Sequence, residues 1–131
     1  MKKQLNYIAY LIILGGALAA SCQNNKYKIL ETIVEETNKT CPQMMDEYTV
    51  LDSLATKTDS LMFYYTLLAE LEEMEVTDEA KEIMKAGLVQ NLKLTPPFNA
   101  IKNLDVKVIH TYRYNDGRLF LQIAINPEDY K

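Results

Sequence analysis

Two residues of this 131-residue chain could together perform nucleophilic chemistry, Cys41 and His110. A thiol becomes a strong nucleophile when a neighbouring imidazole takes its proton, so the pair would indicate a thiol-dependent enzyme. However, His110 alternates along one segment with Val106 and Val108, and a single His on such a face is more often a hydrogen-bonded core residue. We therefore predict that the chain is not an enzyme, and the Cys41–His110 pair is the alternative.

Metal and phosphate chemistry have weaker support. A metal site needs several His, Cys or carboxylate side chains at suitable spacing. Asp46, Glu47 and Asp52 come nearest, but no Asp-x-Asp-x-Asp-Gly loop accompanies them. The only glycines after residue 21 are Gly87 and Gly117, so there is no Gly-rich phosphate loop. The sequence predicts no metal site and no cofactor.

Tyrosine is the remaining candidate for recognition chemistry. Its side chain offers a large contact area, loses little rotamer entropy and ends in a polar group, which suits binding surfaces. We predict a binding surface on the strands, formed by Tyr48, Tyr64, Tyr65, Tyr112 and Tyr114. Ordinary sheet packing is the alternative, because Tyr also has a high strand propensity.

The first 21 residues have the pattern of a secretory signal peptide. Lys2 and Lys3 precede the uncharged, apolar segment Tyr7–Ala20, which ends in small residues. A helix of about 14 residues reaches only about 21 Å, whereas the hydrocarbon core is roughly 30 Å thick. The segment is therefore predicted to be a signal peptide and not a membrane-spanning helix.

The end of that segment, Ala19-Ala20-Ser21-Cys22, resembles the lipobox of bacterial lipoproteins. The resemblance implies cleavage before Cys22 and attachment of acyl chains such as palmitate to that residue. Each buried CH₂ of an acyl chain contributes about 0.8 kcal/mol, so two or three chains hold a small domain on a bilayer. Ala19 stands where the lipobox prefers Leu, and an ordinary signal peptide that happens to precede a Cys is the alternative.

Lipidation would determine the location, the domain boundaries and the state of both cysteines. Gln23 stands where an Asp would favour the inner membrane, which is compatible with the outer membrane of a Gram-negative bacterium. We expect a signal peptide over residues 1–21, a lipidated tether over 22–26 and one domain over 27–131. An acylated Cys22 cannot pair with Cys41; without acylation a Cys22–Cys41 disulfide is possible.

Charge limits the partners of that domain. Residues 22–131 carry 12 basic and 18 acidic side chains, a net charge of −6, because Lys2 and Lys3 belong to the signal segment. Nucleic-acid binding requires a basic face and is not expected. An acidic domain is also not expected to adhere to anionic headgroups, so the lipid alone would attach it to the membrane. We predict a cell-envelope protein that binds another envelope protein or a glycan.

Hydrophobic periodicity predicts an α+β domain in the order α-β-β-α-β-β. Asn115-Asp116-Gly117 separates two alternating segments and indicates a hairpin. Two hairpins, each preceded by a helix, predict an antiparallel sheet of about four strands with two main helices packed on one face. The predicted helices are Tyr27–Asn38 and Thr77–Leu94, and the predicted strands are Gln43–Leu54, Ser60–Leu68, Val106–Tyr114 and Leu119–Ile125.

Short motifs across the same region resemble a group of small exported bacterial proteins. They are Asn38-Lys39-Thr40-Cys41-Pro42, Phe63-Tyr64-Tyr65-Thr66-Leu67 and Pro127-Glu128-Asp129-Tyr130. The group has no established activity. The resemblance therefore implies one secreted domain and no mechanism.

Overall fold

The computed structural model describes residues 25–68 and 75–131, which contain four helices and five strands. The predicted signal peptide and the lipidation site Cys22 lie outside the described residues. The helices are α1 (residues 25–38), α2 (Asp78–Leu94), α3 (Pro96–Ile101) and α4 (Pro127–Tyr130). The strands are β1 (Gln43–Met44), β2 (Thr49–Lys57), β3 (Ser60–Leu67), β4 (Lys107–Tyr114) and β5 (Leu119–Ile125).

All five strands form one sheet in the order β1-β2-β3-β4-β5. Neighbouring strands are antiparallel except for the central pair, β3 and β4, which is parallel. The predicted α+β class is confirmed, whereas a purely antiparallel sheet of four strands is wrong. The reason is the connection through α2 and α3, which is long enough to return the chain to the end of the sheet where β3 began.

The region predicted as a single strand, Gln43–Leu54, contains two strands. The backbone turns between β1 and β2, where Met45 N donates to Thr49 O at 2.9 Å and Tyr48 N donates to Asp46 Oδ1 at 2.8 Å. Strand β2 then continues to Lys57, so the following turn consists of only Thr58 and Asp59. A turn stabilised by the Asp46 side chain therefore divides the predicted strand into two, which gives the sheet its fifth strand.

Helix α2 begins as predicted and packs against the core through Leu88 and Leu92, two of the residues that helical spacing places on its inner face. Thr77 is its N-cap and accepts a hydrogen bond from Ala80 N at 3.1 Å. Ile83, expected on the inner face, is 67% exposed, whereas Leu92 is buried. Ile83 and Leu92 lie on opposite sides of the helix, about 180° apart, so Ile83 faces solvent when Leu92 faces the core. A salt bridge of 3.2 Å between Lys85 and Asp129 connects α2 to α4.

The core lies between the helices and one face of the sheet. Strand alternation directs Leu61 and Tyr65 of β3, and Val108 and His110 of β4, towards that face. On the other face, Met62, Tyr64 and Thr66 are only half-buried. The core cluster comprises Leu30, Leu51, Leu54, Leu61, Tyr65, Leu92, Ile101, Val106, Val108, Ile125 and Tyr130.

The predicted hairpin of β4 and β5 is confirmed. Tyr114 N donates to Arg118 O at 2.8 Å, and Gly117 N donates to Tyr114 O at 2.9 Å. Gly117 has a φ of 91°, a left-handed conformation that a residue without a Cβ adopts easily. Within residues 25–68 and 75–131, no helix combines the length and apolar character needed to span a bilayer.

Asn38, at the end of α1, replaces the pairing that β2 lacks along its edge. Its Nδ2 donates to Leu54 O at 3.0 Å, and its Oδ1 accepts from Leu54 N at 2.7 Å. Strand β1 pairs only with Val50 and Leu51, so Leu54 lies beyond its reach. One amide side chain thus connects α1 to the sheet and satisfies both polar backbone groups of Leu54.

We expect Asn38→Ala to lower the free energy of unfolding by about 1–3 kcal/mol, because it leaves two partly buried backbone groups without partners. Urea denaturation followed by circular dichroism measures this loss. The matched control is Asn103→Ala, an exposed position where we expect a change within about 0.5 kcal/mol. Equal stability of the two variants would contradict the role assigned to Asn38.

Candidate functional site

Four aromatic rings lie side by side where β3 and β4 pair at the centre of the sheet. Phe63 is the register partner of His110, and Tyr65 is the register partner of Tyr112. The two pairs stack with ring centroids 4.8 and 4.4 Å apart. Parallel partners point to the same face of a sheet, so this aromatic stack lies on the face that bears the core.

His110 is held neutral within the stack. It is 6% exposed, and its Nδ1 lies 2.8 Å from Tyr65 Oη in a buried hydrogen bond. Burial disfavours the imidazolium and lowers the pKa of His110 to about 4. Burial also raises the pKa of Tyr65. Both groups are therefore uncharged at neutral pH, as expected of a satisfied core pair.

A cavity of about 150 Å³ opens over the stack, between the sheet and α2. Tyr65 and His110 contribute from the sheet, whereas Leu88 and Leu92 contribute from the helix. Leu88 and Leu92 are four residues apart, so they project from the same side of α2. The full lining is Met45, Phe63, Tyr65, Leu88, Asn91, Leu92, Thr95 and His110.

A second cavity of about 250 Å³ adjoins the first, and both are lined by Phe63, Leu92 and Thr95. Its other walls come from α1, β2, β3 and α3. They are formed by Ile33, Thr37, Leu54, Leu61, Pro96, Pro97 and Ile101. We refer to the two adjoining cavities together as the apolar groove.

Met45 extends the apolar lining of the groove to the surface. Met45 is 53% exposed and lines the first cavity. Met44 is similarly exposed, but it pairs with Val50, the partner of Thr66, so strand alternation directs it to the other face of the sheet. Tyr48 and Leu68 are exposed beside each other, where Leu68 N donates to Tyr48 O at 2.7 Å, and neither lines the groove.

The predicted tyrosines do not form one surface. Tyr65 and Tyr112 belong to the aromatic stack, whereas Tyr48 is exposed in the turn between β1 and β2 and does not line the groove. Tyr64 lies on the opposite face, where its hydroxyl donates to Met62 Sδ at 3.5 Å. Tyr114 packs edge-on against Phe120, with the Arg118 guanidinium 5.0 Å from its ring centroid.

Several groove residues were not expected from the sequence. Met45, Leu88, Leu92 and Thr95 line the groove, although their sequence pattern is that of ordinary core positions. The spacing of Leu88 and Leu92 identifies one helix face but not the gap beside it. Only the packing of α2 across the sheet reveals that gap.

Cys41 is positioned for packing more than for reaction. It is half-buried, packs against the core cluster and does not line the cavity that contains His110. Burial, and secondarily the charge of Asp52, raises the pKa of the Cys41 thiol. A raised pKa lowers the thiolate fraction, which disfavours nucleophilic chemistry. Within residues 25–68 and 75–131, no three His, Cys, Asp or Glu side chains cluster closely enough to hold a metal ion.

The comparison with protein families identifies one family. The family model described as Domain of unknown function (DUF8479) matches residues 24–120. The matched region contains the aromatic stack and every residue that lines the groove. Comparison with curated protein sequences finds no match.

Solved structures share the fold at very low sequence identity. A Pseudomonas aeruginosa protein predicted to be secreted matches with a TM-score of 0.67 and 8% identity, covering 82% of this chain and 96% of that one. The Vibrio cholerae type II secretion system pilotin AspS gives a TM-score of 0.63 with 11% identity, covering 85% and 97%. The type 2 secretion system pilotin EpsS from Vibrio vulnificus gives 0.60 with 5% identity, covering 82% and 96%.

Proposed function

This chain belongs to the family described as Domain of unknown function (DUF8479), and we propose that it is a non-enzymatic, lipid-anchored interaction domain of the bacterial cell envelope. In this proposal the apolar groove holds an apolar segment of an envelope protein. The observation that supports it most directly is the groove itself, with the exposed side chain of Met45 at its mouth.

The division of the groove into two small cavities suits separate side chains of a protein partner. Pockets for drug-sized ligands enclose roughly 300–1,000 Å³. Each cavity here is smaller, at about 150 and 250 Å³. An apolar cavity of about 150 Å³ is large enough for benzene, so each can accept one large apolar side chain. Two adjoining cavities then suit two anchoring side chains of one segment.

The lining favours a protein over a glycan. Sugar recognition requires several free hydrogen-bonding groups, whereas the second cavity is lined almost entirely by apolar side chains. The Thr95 hydroxyl is already engaged, because it donates to Leu92 O at 2.8 Å. His110 Nδ1 is likewise bonded to Tyr65. Of the two predicted partner classes, we propose the envelope protein.

The envelope location rests on two independent supports. Two fold neighbours are pilotins of type II secretion systems, and a third is a protein predicted to be secreted. The lipobox resemblance around Cys22 gives the same location from the sequence. We propose that acyl chains on Cys22 attach the domain to the membrane, with the outer membrane of a Gram-negative bacterium as the site.

The thiol-dependent alternative has less support. It requires Cys41 and His110 to act together, yet the pKa of Cys41 is raised and the pKa of His110 is lowered by burial. A raised thiol pKa and a lowered imidazole pKa oppose formation of a thiolate–imidazolium pair. We therefore keep the interaction domain as the proposed function.

Leu88→Asp tests the groove, because it places a charge inside an apolar cavity. If Leu88 contacts the centre of a bound segment, we expect a loss of at least about 2 kcal/mol, roughly 30-fold in affinity. The measurement is recovery of envelope proteins, from detergent-solubilised envelope, by the tagged protein. Thermal melts establish that the variant is folded.

Ile83→Asp is the matched control, because Ile83 lies on the same helix but is 67% exposed and does not line the groove. We expect this variant to recover the same partner as the wild type. The proposal fails if folded Leu88→Asp retains that partner, or if both variants lose it equally.

A further inference from the structure

One end of the sheet carries a concentration of lysines that the overall acidic charge conceals. This end, which we call the basal end, contains the β2–β3 turn, the start of β4 and the end of β5, as the strand directions require. Five lysines lie there: Lys26, Lys57, Lys102, Lys107 and Lys131. Four acids accompany them: Asp59, Asp105, Glu128 and Asp129. The basal end is therefore net positive.

Helix α1 begins at the basal end. Lys26 Nζ lies 2.9 Å from Asp59 Oδ1, in the β2–β3 turn. Lys26 also contributes to the lowered pKa of Asp105, which lies just before β4. Four residues span at most about 14 Å, so a lipid on Cys22 would keep Lys26 within that distance of the bilayer surface. The basal end is thus the part of the domain nearest to the anchor.

Three of the basal lysines are available to another molecule. Lys26 pairs with Asp59, and Lys131 pairs with Asp105. Within the described residues, Lys57, Lys102 and Lys107 form no hydrogen bond or ion pair through their ammonium groups, and all three are exposed. Lys57 and Lys107 flank Ser60, the register partner of both residues, so the two lysines start from neighbouring backbone positions.

We propose that the basal end is a membrane-facing surface that binds the anionic headgroups of the bilayer through Lys57, Lys102 and Lys107. This inference rests on the lipid anchor of the proposed function, which brings the lysines within reach of the headgroups. Anionic headgroups attract lysines that lie within a Debye length of the surface. The domain then stands with its basal end on the bilayer and Met44, Met45 and Tyr48 at the opposite end, facing away from the membrane.

The proposed surface differs from the expectation that lipid alone holds the domain on the membrane. That expectation used the net charge of −6, which averages over the whole surface. Asp46, Glu47 and Asp116 lie at the opposite end of the sheet, so at least the length of a strand separates them from the basal lysines. At such separations charges are screened, so the local sign determines adhesion.

The test is lysine acylation by a water-soluble reagent, with the purified lipidated protein placed on vesicles. One vesicle type contains phosphatidylcholine alone, and the other also contains phosphatidylglycerol. We expect Lys57, Lys102 and Lys107 to be labelled several-fold less on the anionic vesicles, and high salt to restore their labelling. Lys39, which is paired with Glu36 at the far end of α1, should be labelled equally on both.

A charge-reversal variant separates headgroup binding from mere proximity to the anchor. In Lys57→Glu/Lys107→Glu, we expect the protection of Lys102 by anionic vesicles to disappear, whereas Lys39→Glu should preserve it. Equal labelling of the three lysines on the two vesicle types overturns the proposal, and so does protection that survives the charge reversal.

The outcome is distinguishable from failure of the proposed function. The mass of the N-terminal peptide shows directly whether Cys22 carries acyl chains. If it carries none, the anchor is wrong and the lysine surface loses its premise. If it carries them and the lysines are labelled equally, only the lysine surface is wrong. Binding of the groove partner is measured separately, with Leu88→Asp.

Discussion

The folded domain is expected to lose about 3 kcal/mol of stability as the pH falls from 6.5 to 4, because His110 must stay neutral inside the aromatic stack. In the unfolded chain His110 takes up a proton near pH 6.5, whereas in the folded domain its pKa is about 4. Protons therefore favour the unfolded state throughout this interval. The contribution of neutral His110 to the free energy of unfolding is complete above pH 6.5. It is lost progressively as the pH falls and changes no further below about pH 4.

Chemical denaturation at a series of pH values measures this effect. Burial is the cause of the His110 shift, and no carboxylate lies in the lining of its cavity. Four carboxylates have a pKa lowered from the ordinary value of 3.8, so their effects lie mainly below this interval; they are Asp46, Asp105, Asp116 and Asp129. The control is His110→Gln, which should flatten the dependence between pH 6.5 and 4. A slope that survives in His110→Gln would contradict the account.

Leu30→Ala is expected to destabilise the domain by about 3 kcal/mol, within the range of 2–5 kcal/mol for buried Leu. Leu30 lies on α1 and is completely buried in the core cluster. Its removal leaves a cavity under α1, which is otherwise connected to the sheet by Asn38 and the Lys26–Asp59 ion pair. This contact matters for function because α1 determines where a lipid on Cys22 meets the domain.

Tyr27→Ala, on the same helix but 46% exposed, is the matched control. We expect it to cost well under half as much, since less apolar surface is removed from the interior. Urea denaturation at neutral pH gives both values. If Leu30→Ala were as stable as Tyr27→Ala, α1 would not be packed as described.

Local sequence signals correctly predicted those elements that neighbouring residues determine. Thr77 caps α2 through its own hydroxyl, and Asn115-Asp116-Gly117 forms the turn between β4 and β5. Both signals act over a few residues, so one segment contains all the information. The class of the domain follows from such elements together.

The sheet topology could not be read in the same way. Whether β3 and β4 run parallel depends on the path of α2 and α3 over the sheet, which no local pattern encodes. The face of α2 that meets the core depends on the sheet beneath it. Leu92 is buried, and Ile83, about 180° away around the helix, is 67% exposed.

The candidate site shows the same division. Tyr65 and Tyr112 were expected to belong to a binding surface, and the structure brings them together in a stack in which Tyr65 is buried and Tyr112 half-buried. Tyr64, the residue before Tyr65, lies on the opposite face because successive residues of a strand alternate between the two faces. The groove exists only where α2, α3 and α1 leave space above Phe63. Such a gap has no sequence pattern.

The most direct test of the groove as a docking site is photo-cross-linking in intact cells. A photo-reactive phenylalanine analogue replaces Met45 at the mouth of the groove or, as the control, exposed Ile83. The account predicts that the probe at Met45 forms an adduct with one envelope protein, through an apolar segment identified by mass spectrometry, and that the probe at Ile83 does not. Its central claim would be contradicted if Met45 gave no adduct, or the same adducts as Ile83.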